Sequence, residues 1–152
     1  QVAISGEVAA VEAAGPALKA AGARRVVPLN VSGAFHSPLL EGAAEEFRAF
    51  LAGIGFRDPS APLVANVSAE PVATAEVLRE GLECQLISPV LWHGTMERIC
   101  SGPTAPRAVL EVGPGRVLSN LAKRAYPDVT FIPVGNVGDF DDLESKLDEL
   151  GS

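Results

Sequence analysis

Arg107-Ala-Val-Leu-Glu-Val112, then Gly113-Pro114-Gly115, a helix-patterned stretch over Arg116–Ala125 and the run Val129-Thr-Phe-Ile-Pro-Val134 together decide the fold. The first run is entirely apolar between Arg107 and Glu111, as expected of a buried central strand. Gly-Pro-Gly ends it in a tight turn. Strand, turn, helix and strand in succession is the alternation of an α/β protein. Beyond Val134, Asp139 is expected to cap a last helix with Phe140, Leu143, Leu147 and Leu150 on one face.

Toward the N-terminus the alternation continues. Val90–Cys100 reads as a helix carrying Trp92 and Met96, and Ala75–Leu86 as another, separated from it by Ser88-Pro89. Leu63–Asn66 is a short apolar strand and Val67–Thr74 a loop. Leu40, Ala43, Phe47, Phe50, Leu51 and Ile54 recur at three- and four-residue spacing, which predicts a helix to about residue 52 with Pro38 in its first turn. Val2–Ser5 and Arg25–Val31 are β-like. Between them Glu7–Ala21 is helical, kinked or split at Gly15-Pro16 and terminated by Gly22. This N-terminal strand–helix–strand is a βαβ-like unit, or half of a ferredoxin-like split unit.

The bulk properties exclude several classes. The chain has 152 residues, 47% hydrophobic and 20% charged, a globular composition of ordinary domain size. No apolar run approaches the roughly 20 residues needed to span a bilayer, and no signal-peptide pattern opens the sequence. A net charge of −7 argues against nucleic acid as the main partner. Basic residues still cluster at Lys19, Arg24 and Arg25, and again at Arg116, Lys123 and Arg124. Cys84 and Cys100 form no CxxC unit and read as two buried thiols in a reducing compartment, so a cytoplasmic location is expected. The chain lacks an initiator methionine and is strand-like from its first residues, as if it began in the middle of something larger.

Two histidines limit the choice of a general base. His36 lies in Val31-Ser-Gly-Ala-Phe-His-Ser-Pro-Leu39, a small-residue loop between a β-like run and an amphipathic helix, where catalytic residues are commonly held, although from position alone a structural or merely exposed histidine is the default. His93, beside Trp92 at a helix start, reads as a surface or partly packed residue. Nothing in the spacing resembles a metal site, and no metal is expected. A basic histidine needs a nucleophile within reach. No GxSxG elbow occurs in the sequence, so that nucleophile is expected outside this chain. Gln85 in isolation passes as an ordinary polar residue, but it ends a helix, where a carbonyl can lack an intrahelical partner and is free to accept from a group such as an imidazole N–H. Gly113-Pro114-Gly115 can present backbone N–H groups to an anion, and a tight strand-to-helix turn explains it equally well.

Three blocks carry a resemblance when taken together: Ser32-Gly-Ala-Phe-His-Ser-Pro-Leu-Leu40, Gln85-Leu-Ile-Ser-Pro-Val90, and Glu111-Val-Gly-Pro-Gly-Arg-Val-Leu118 with Lys123-Arg124. In order and approximate spacing they resemble the C-terminal half of malonyl-CoA:acyl carrier protein transacylase. The resemblance covers essentially the whole chain and lacks the family's serine-bearing N-terminal half. It implies an α/β-hydrolase-like core with an inserted ferredoxin-like subdomain, residues 1–29 being the tail of that subdomain and residues 30–152 part of the large one.

The resemblance further implies an acyltransferase working through a Ser-malonyl ester. Malonyl-CoA and acyl carrier protein would be its partners, together with the missing N-terminal half. It implies no cofactor, the CoA thioester being a substrate, and neither a membrane nor nucleic acid as partner. His36 matches the catalytic histidine of a Ser-His dyad, and Gln85 the residue whose main-chain carbonyl orients it. Phe35 matches the position that related domains use to read the acyl group. Two other readings stand beside this one: an acyltransferase domain of a polyketide or fatty-acid synthase, and a non-catalytic fragment that binds CoA or a carrier protein. The absence of a linker after Leu150 favours a discrete enzyme over the multidomain reading.

Overall fold

The computed structural model describes residues 1–151. The chain is α/β, and its backbone forms two units, residues 1–92 and a second beginning at His93.

In the first unit, helix α1 spans Val8–Ala20. It runs through Pro16 as one helix instead of splitting, and its apolar residues Val8, Val11 and Leu18 stay exposed. Gly22, at φ 97°, ends it. The Gly22 N–H donates to the Lys19 carbonyl and the Ala23 N–H to the Leu18 carbonyl, the paired closure that a left-handed glycine permits. Val2–Ser5 and Arg25–Val31, expected as strands, join no ladder among the described residues. β-propensity describes fit to a neighbouring strand more than a backbone preference. Here Val2 is 89% exposed, and Val27, Leu29 and Val31 are exposed as well.

A 3-10 turn, Pro38–Leu40, leads into α2, Glu41–Ala52. The helix buries Ala44 and Leu51 and packs against α3, Ala75–Cys84. Between these helices β1, Leu63–Val64, pairs antiparallel with β2, Pro71–Val72, inside the segment expected to be a loop. Two residues with a proline at the edge leave almost no period-two signal to read. Ala69 closes the hairpin at φ 56°. Two partners start α3: the Thr74 hydroxyl accepts from the Val77 N–H at 3.3 Å, and the Asp58 carboxylate from the Ala75 N–H at 2.7 Å.

The second unit is built on β3, Ala108–Val112, and β4, Thr130–Val134, which pair in parallel from Ala108 opposite Thr130 to Val112 opposite Val134. Helix α5, Val117–Ala122, connects them. α4, Trp92–Cys100, contributes the buried Thr95, Met96 and Cys100, while Ile132 and Val134 form the buried side of the second strand and Val129 is buried just before it. β3 is not a buried central strand: it has one ladder partner among the described residues, Leu110 is exposed and Val112 is 78% exposed.

The C-terminal helix divides into α6, Val137–Asp141, and α7, Leu143–Gly151. Its cap is Asn136, not Asp139. The Asn136 side-chain oxygen accepts from the Asp139 N–H, and the Asp139 carboxylate reaches back to the Gly135 N–H at 2.8 Å. Asp139 thus stands at the third helical position in a variant of the capping box, accepting from the residue before the cap and from the cap's own side-chain amide. No helix among the described residues is long and apolar enough to cross a membrane.

Candidate active site

His36 stands in a four-residue turn, Ala34–Ser37, with φ 62°. The left-handed conformation costs an L-residue roughly 1–2 kcal/mol and persists where surrounding bonds hold it. Those bonds come from the end of α3. The His36 N–H donates to the Leu86 carbonyl at 2.9 Å. Its Nδ1 lies 3.0 Å from the Gln85 carbonyl and 3.2 Å from the Ser88 carbonyl. Both partners are oxygens that only accept, so Nδ1 carries the proton and Nε2 is the bare nitrogen of the neutral ring. The ring is exposed, and no hydrogen bond of Nε2 is present among the described residues.

The chain supplies these carbonyls for a simple reason. The last carbonyls of a helix have no partner within it. At the end of α3, the Cys84 carbonyl accepts from the Ile87 and Ser88 N–H groups, and the Leu82 carbonyl from the Gln85 N–H. The carbonyls of Gln85, Leu86 and Ser88 remain for His36. Pro89 follows and cannot donate.

Each residue singled out in the sequence has a defined place. Gln85 meets the imidazole through its main chain, and its side-chain Nε2 is buried with no hydrogen-bond partner. Phe35 sits beside His36, the residue 43% exposed and its ring against Gly33, where an added Cβ would lie 3.6 Å from the ring. The carbonyls of Leu86 and Ser88 escaped the sequence reading. Only the serine's position before a proline, which favours extended backbone, marks Ser88 at all. Ser37, buried at 6% exposure, donates its hydroxyl to the Ala34 carbonyl at 2.7 Å and so does not face the imidazole as a nucleophile.

The Gly-Pro-Gly junction has an internal anion. Gly113 and Gly115 take φ of 133° and 103°, turning the chain so that Glu111 reaches the start of α5. Its carboxylate accepts from the Leu118 N–H and the Ser119 N–H, both at 2.9 Å, and from the Ser119 hydroxyl at 2.6 Å. These bonds, the Ser119 hydroxyl first, hold the Glu111 carboxyl below its ordinary range. An external anion would have to displace it.

Arg116, Lys123 and Arg124 are exposed, and Lys123 bonds Asn120. His93 is exposed on its helix. Of the two thiols expected to be buried, Cys100 is buried, which raises its pKa, and Cys84 is exposed. No cluster of three or more metal-ligating side chains occurs among the described residues.

No protein-family model matches the chain. Curated relatives do. The malonyl CoA-acyl carrier protein transacylase of Synechocystis is 41% identical over 145 residues, 95% of this chain and 47% of that protein. The Escherichia coli transacylase is 40% identical over 130 residues, 86% of this chain and 41% of its own length. Solved structures agree. A malonyl-transacylase in complex with its type II PKS acyl-carrier protein matches at a TM-score of 0.83 and 40% identity, over 90% of this chain and 44% of that one. The Clostridium perfringens malonyl CoA-acyl carrier protein transacylase matches at 0.86 and 29% identity, over 96% and 45%. The chain spans about half the length of the curated relatives it matches. In sequence and in fold it belongs, as a partial-length member, to the malonyl CoA-acyl carrier protein transacylase family.

Proposed function

We propose that this chain carries the general-base half of a malonyl-CoA:acyl carrier protein transacylase site, the serine being supplied by a complementary polypeptide segment with a GxSxG elbow. One observation carries the reading: His36 Nδ1 is committed to main-chain carbonyls, which leaves Nε2 exposed as a proton acceptor. The names of the relatives and of the carrier-protein complex supply the substrate class.

In the proposed reaction Nε2 takes the serine hydroxyl proton as the oxygen attacks the malonyl thioester carbonyl. The tetrahedral intermediate collapses, the C–S bond breaks, and the imidazolium returns the proton to the departing CoA thiolate. In the second half Nε2 takes the proton of the carrier's phosphopantetheine thiol, sulfur attacks the serine ester, and the proton returns to serine. Unlike a Ser-His-Asp triad, orientation comes from neutral carbonyls. Phe35 is the proposed reader of the acyl group. A phenyl at that position fits malonyl and crowds a methyl branch. No cofactor takes part.

The finer architecture belongs to the same proposal: an α/β-hydrolase-like core for residues 30–152 and the tail of a ferredoxin-like subdomain for residues 1–29. The exposed, unladdered runs at Val2–Ser5 and Arg25–Val31 support it, since each has the residues of a strand and awaits a neighbour. A cytoplasmic location follows from the proposed reaction.

Incubating the intact protein that carries this chain with labelled malonyl-CoA tests the reading. One stable acyl-enzyme adduct, its formation lost on His36→Ala, is expected. An adduct formed equally fast by the variant would remove His36 from the mechanism.

A further inference from the structure

We infer that Ser37 is a positioning residue for His36: its buried hydroxyl closes the turn that keeps the imidazole aimed. The inference rests on the reading of His36 as general base.

His36 occupies the third position of the Ala34–Ser37 turn at φ 62°, where glycine or asparagine ordinarily stands. Histidine tolerates that conformation better than most residues, yet it must be held there. Three sets of hydrogen bonds do the holding, and they are of different kinds. The Leu86 carbonyl fixes the backbone N–H, and the Gln85 and Ser88 carbonyls fix the ring. Both contacts tie the turn to the end of α3. The third, Ser37 Oγ–H to the Ala34 carbonyl at 2.7 Å, ties the turn to itself.

Ser37 is also the residue that joins the turn to the next helix. It is extended, at φ −139° and ψ 159°, and its carbonyl accepts from the Leu40 N–H at 3.2 Å in the 3-10 turn. At 6% exposure its hydroxyl has no ready replacement from solvent. Removing it frees Ala34, Phe35 and His36 to leave the left-handed turn. Nδ1 then no longer stays on its carbonyls, and the tautomer that leaves Nε2 bare is no longer enforced.

The test uses the intact protein with malonyl-CoA and acyl carrier protein, comparing Ser37→Ala, Ser37→Thr and, as a stability control far in sequence, Asn136→Ala. Ser37→Ala is expected to lower kcat about tenfold, equivalent to about 1.4 kcal/mol, with KM for malonyl-CoA changed less than about twofold. Ser37→Thr keeps the hydroxyl on an extended backbone that suits a β-branched residue, and should restore kcat. Asn136→Ala should lower the melting temperature and leave kcat unchanged. Long-range proton–nitrogen correlation should show one Nδ1–H tautomer for His36 in the unsubstituted protein and a mixture in Ser37→Ala.

The inference is overturned if Ser37→Ala keeps both kcat and tautomer, or if Ser37→Thr is as impaired as Ser37→Ala. Should Ser37→Ala not fold, Ser37→Thr decides: loss of its kcat or of the single tautomer sinks the inference, and retention of both upholds it. If the unsubstituted protein transfers no malonyl, the functional reading fails separately. The His36 tautomer in Ser37→Ala then decides the positioning role by itself.

Discussion

Replacing Gln85 with alanine separates a main-chain contact from a side-chain one. The oxygen 3.0 Å from His36 Nδ1 belongs to the backbone and survives the substitution. What leaves is one methylene and a carboxamide whose Nε2 is buried without a hydrogen-bond partner. The methylene contributes about 0.8 kcal/mol of burial. The unsatisfied amide costs roughly 1–3 kcal/mol where it is. The two effects oppose each other, and alanine suits a helix end, so the fold should lose little or gain slightly. With the imidazole still oriented, kcat for malonyl transfer should fall by no more than about threefold. His36→Ala removes the proposed proton acceptor itself and should cost about 10²- to 10⁴-fold. Rapid-quench measurement of acyl-enzyme formation, alongside thermal melts of both variants, gives the comparison. Losses of the same order in two equally stable variants would refute the main-chain assignment.

Phe35→Ser should shift the ratio of malonyl-CoA to methylmalonyl-CoA turnover toward the branched substrate by roughly 10- to 200-fold, the range set by pocket contacts, and an unchanged ratio removes Phe35 from specificity. Glu111→Gln should lower the melting temperature at neutral pH. The folded carboxyl is depressed, so its contribution is present above the ordinary value of 4.5 and fades as pH falls through the lower folded value. Melts of both proteins should therefore converge in acid, and a gap that persists there contradicts the carboxylate cap. At Ala69, φ 56°, glycine relieves strain and adds unfolded-state entropy, a near cancellation within about 1 kcal/mol, whereas Ala69→Val should cost about 2 kcal/mol or more in urea unfolding. Pro89→Gly frees the Ser88 carbonyl but leaves that of Gln85 on α3, so kcat should fall by less than about tenfold; a loss equal to that of His36→Ala would make Ser88 the dominant acceptor.

The helices that pack were legible because their apolar residues recur with the helical period. α2 ends at Ala52 as its spacing predicts, and α3 and α4 fall where expected. β3 and β4 were legible as apolar runs, but not the extent of their burial. A run of Ala, Val and Leu describes what a strand can bury, while Val112 stays exposed because burial depends on neighbours. The same reasoning covers Val2–Ser5 and Arg25–Val31. At the last helix the expected cap is Asp139, while Asn136 caps it three residues earlier and Asp139 supports that cap from inside the first turn. The Glu111 cap was hidden for a different reason. Its three donors lie seven and eight residues away across a turn whose geometry two positive-φ glycines set.

The candidate site divides along the same line. His36 stands out in the sequence as one of two histidines and Gln85 because it ends a helix, whereas Phe35 is marked only by the resemblance to the transacylase family. The orientation of His36 is written in atoms that every residue carries: the carbonyls of Gln85, Leu86 and Ser88, and the φ of His36 itself. Side-chain identity at 85, 86 and 88 is therefore nearly irrelevant to the contact, provided that α3 stops where it does and the chain turns toward Pro89. Identity matters again at two places, His36 and Ser37. There a left-handed turn must be both adopted and closed. The proposed base, aligned by a helix end, is insensitive to most substitutions among its partners and sensitive to changes in backbone conformation. For this chain the sensitive residues lie in the turn and beside Pro89, more than at the glutamine whose carbonyl makes the shorter of the two contacts to the imidazole.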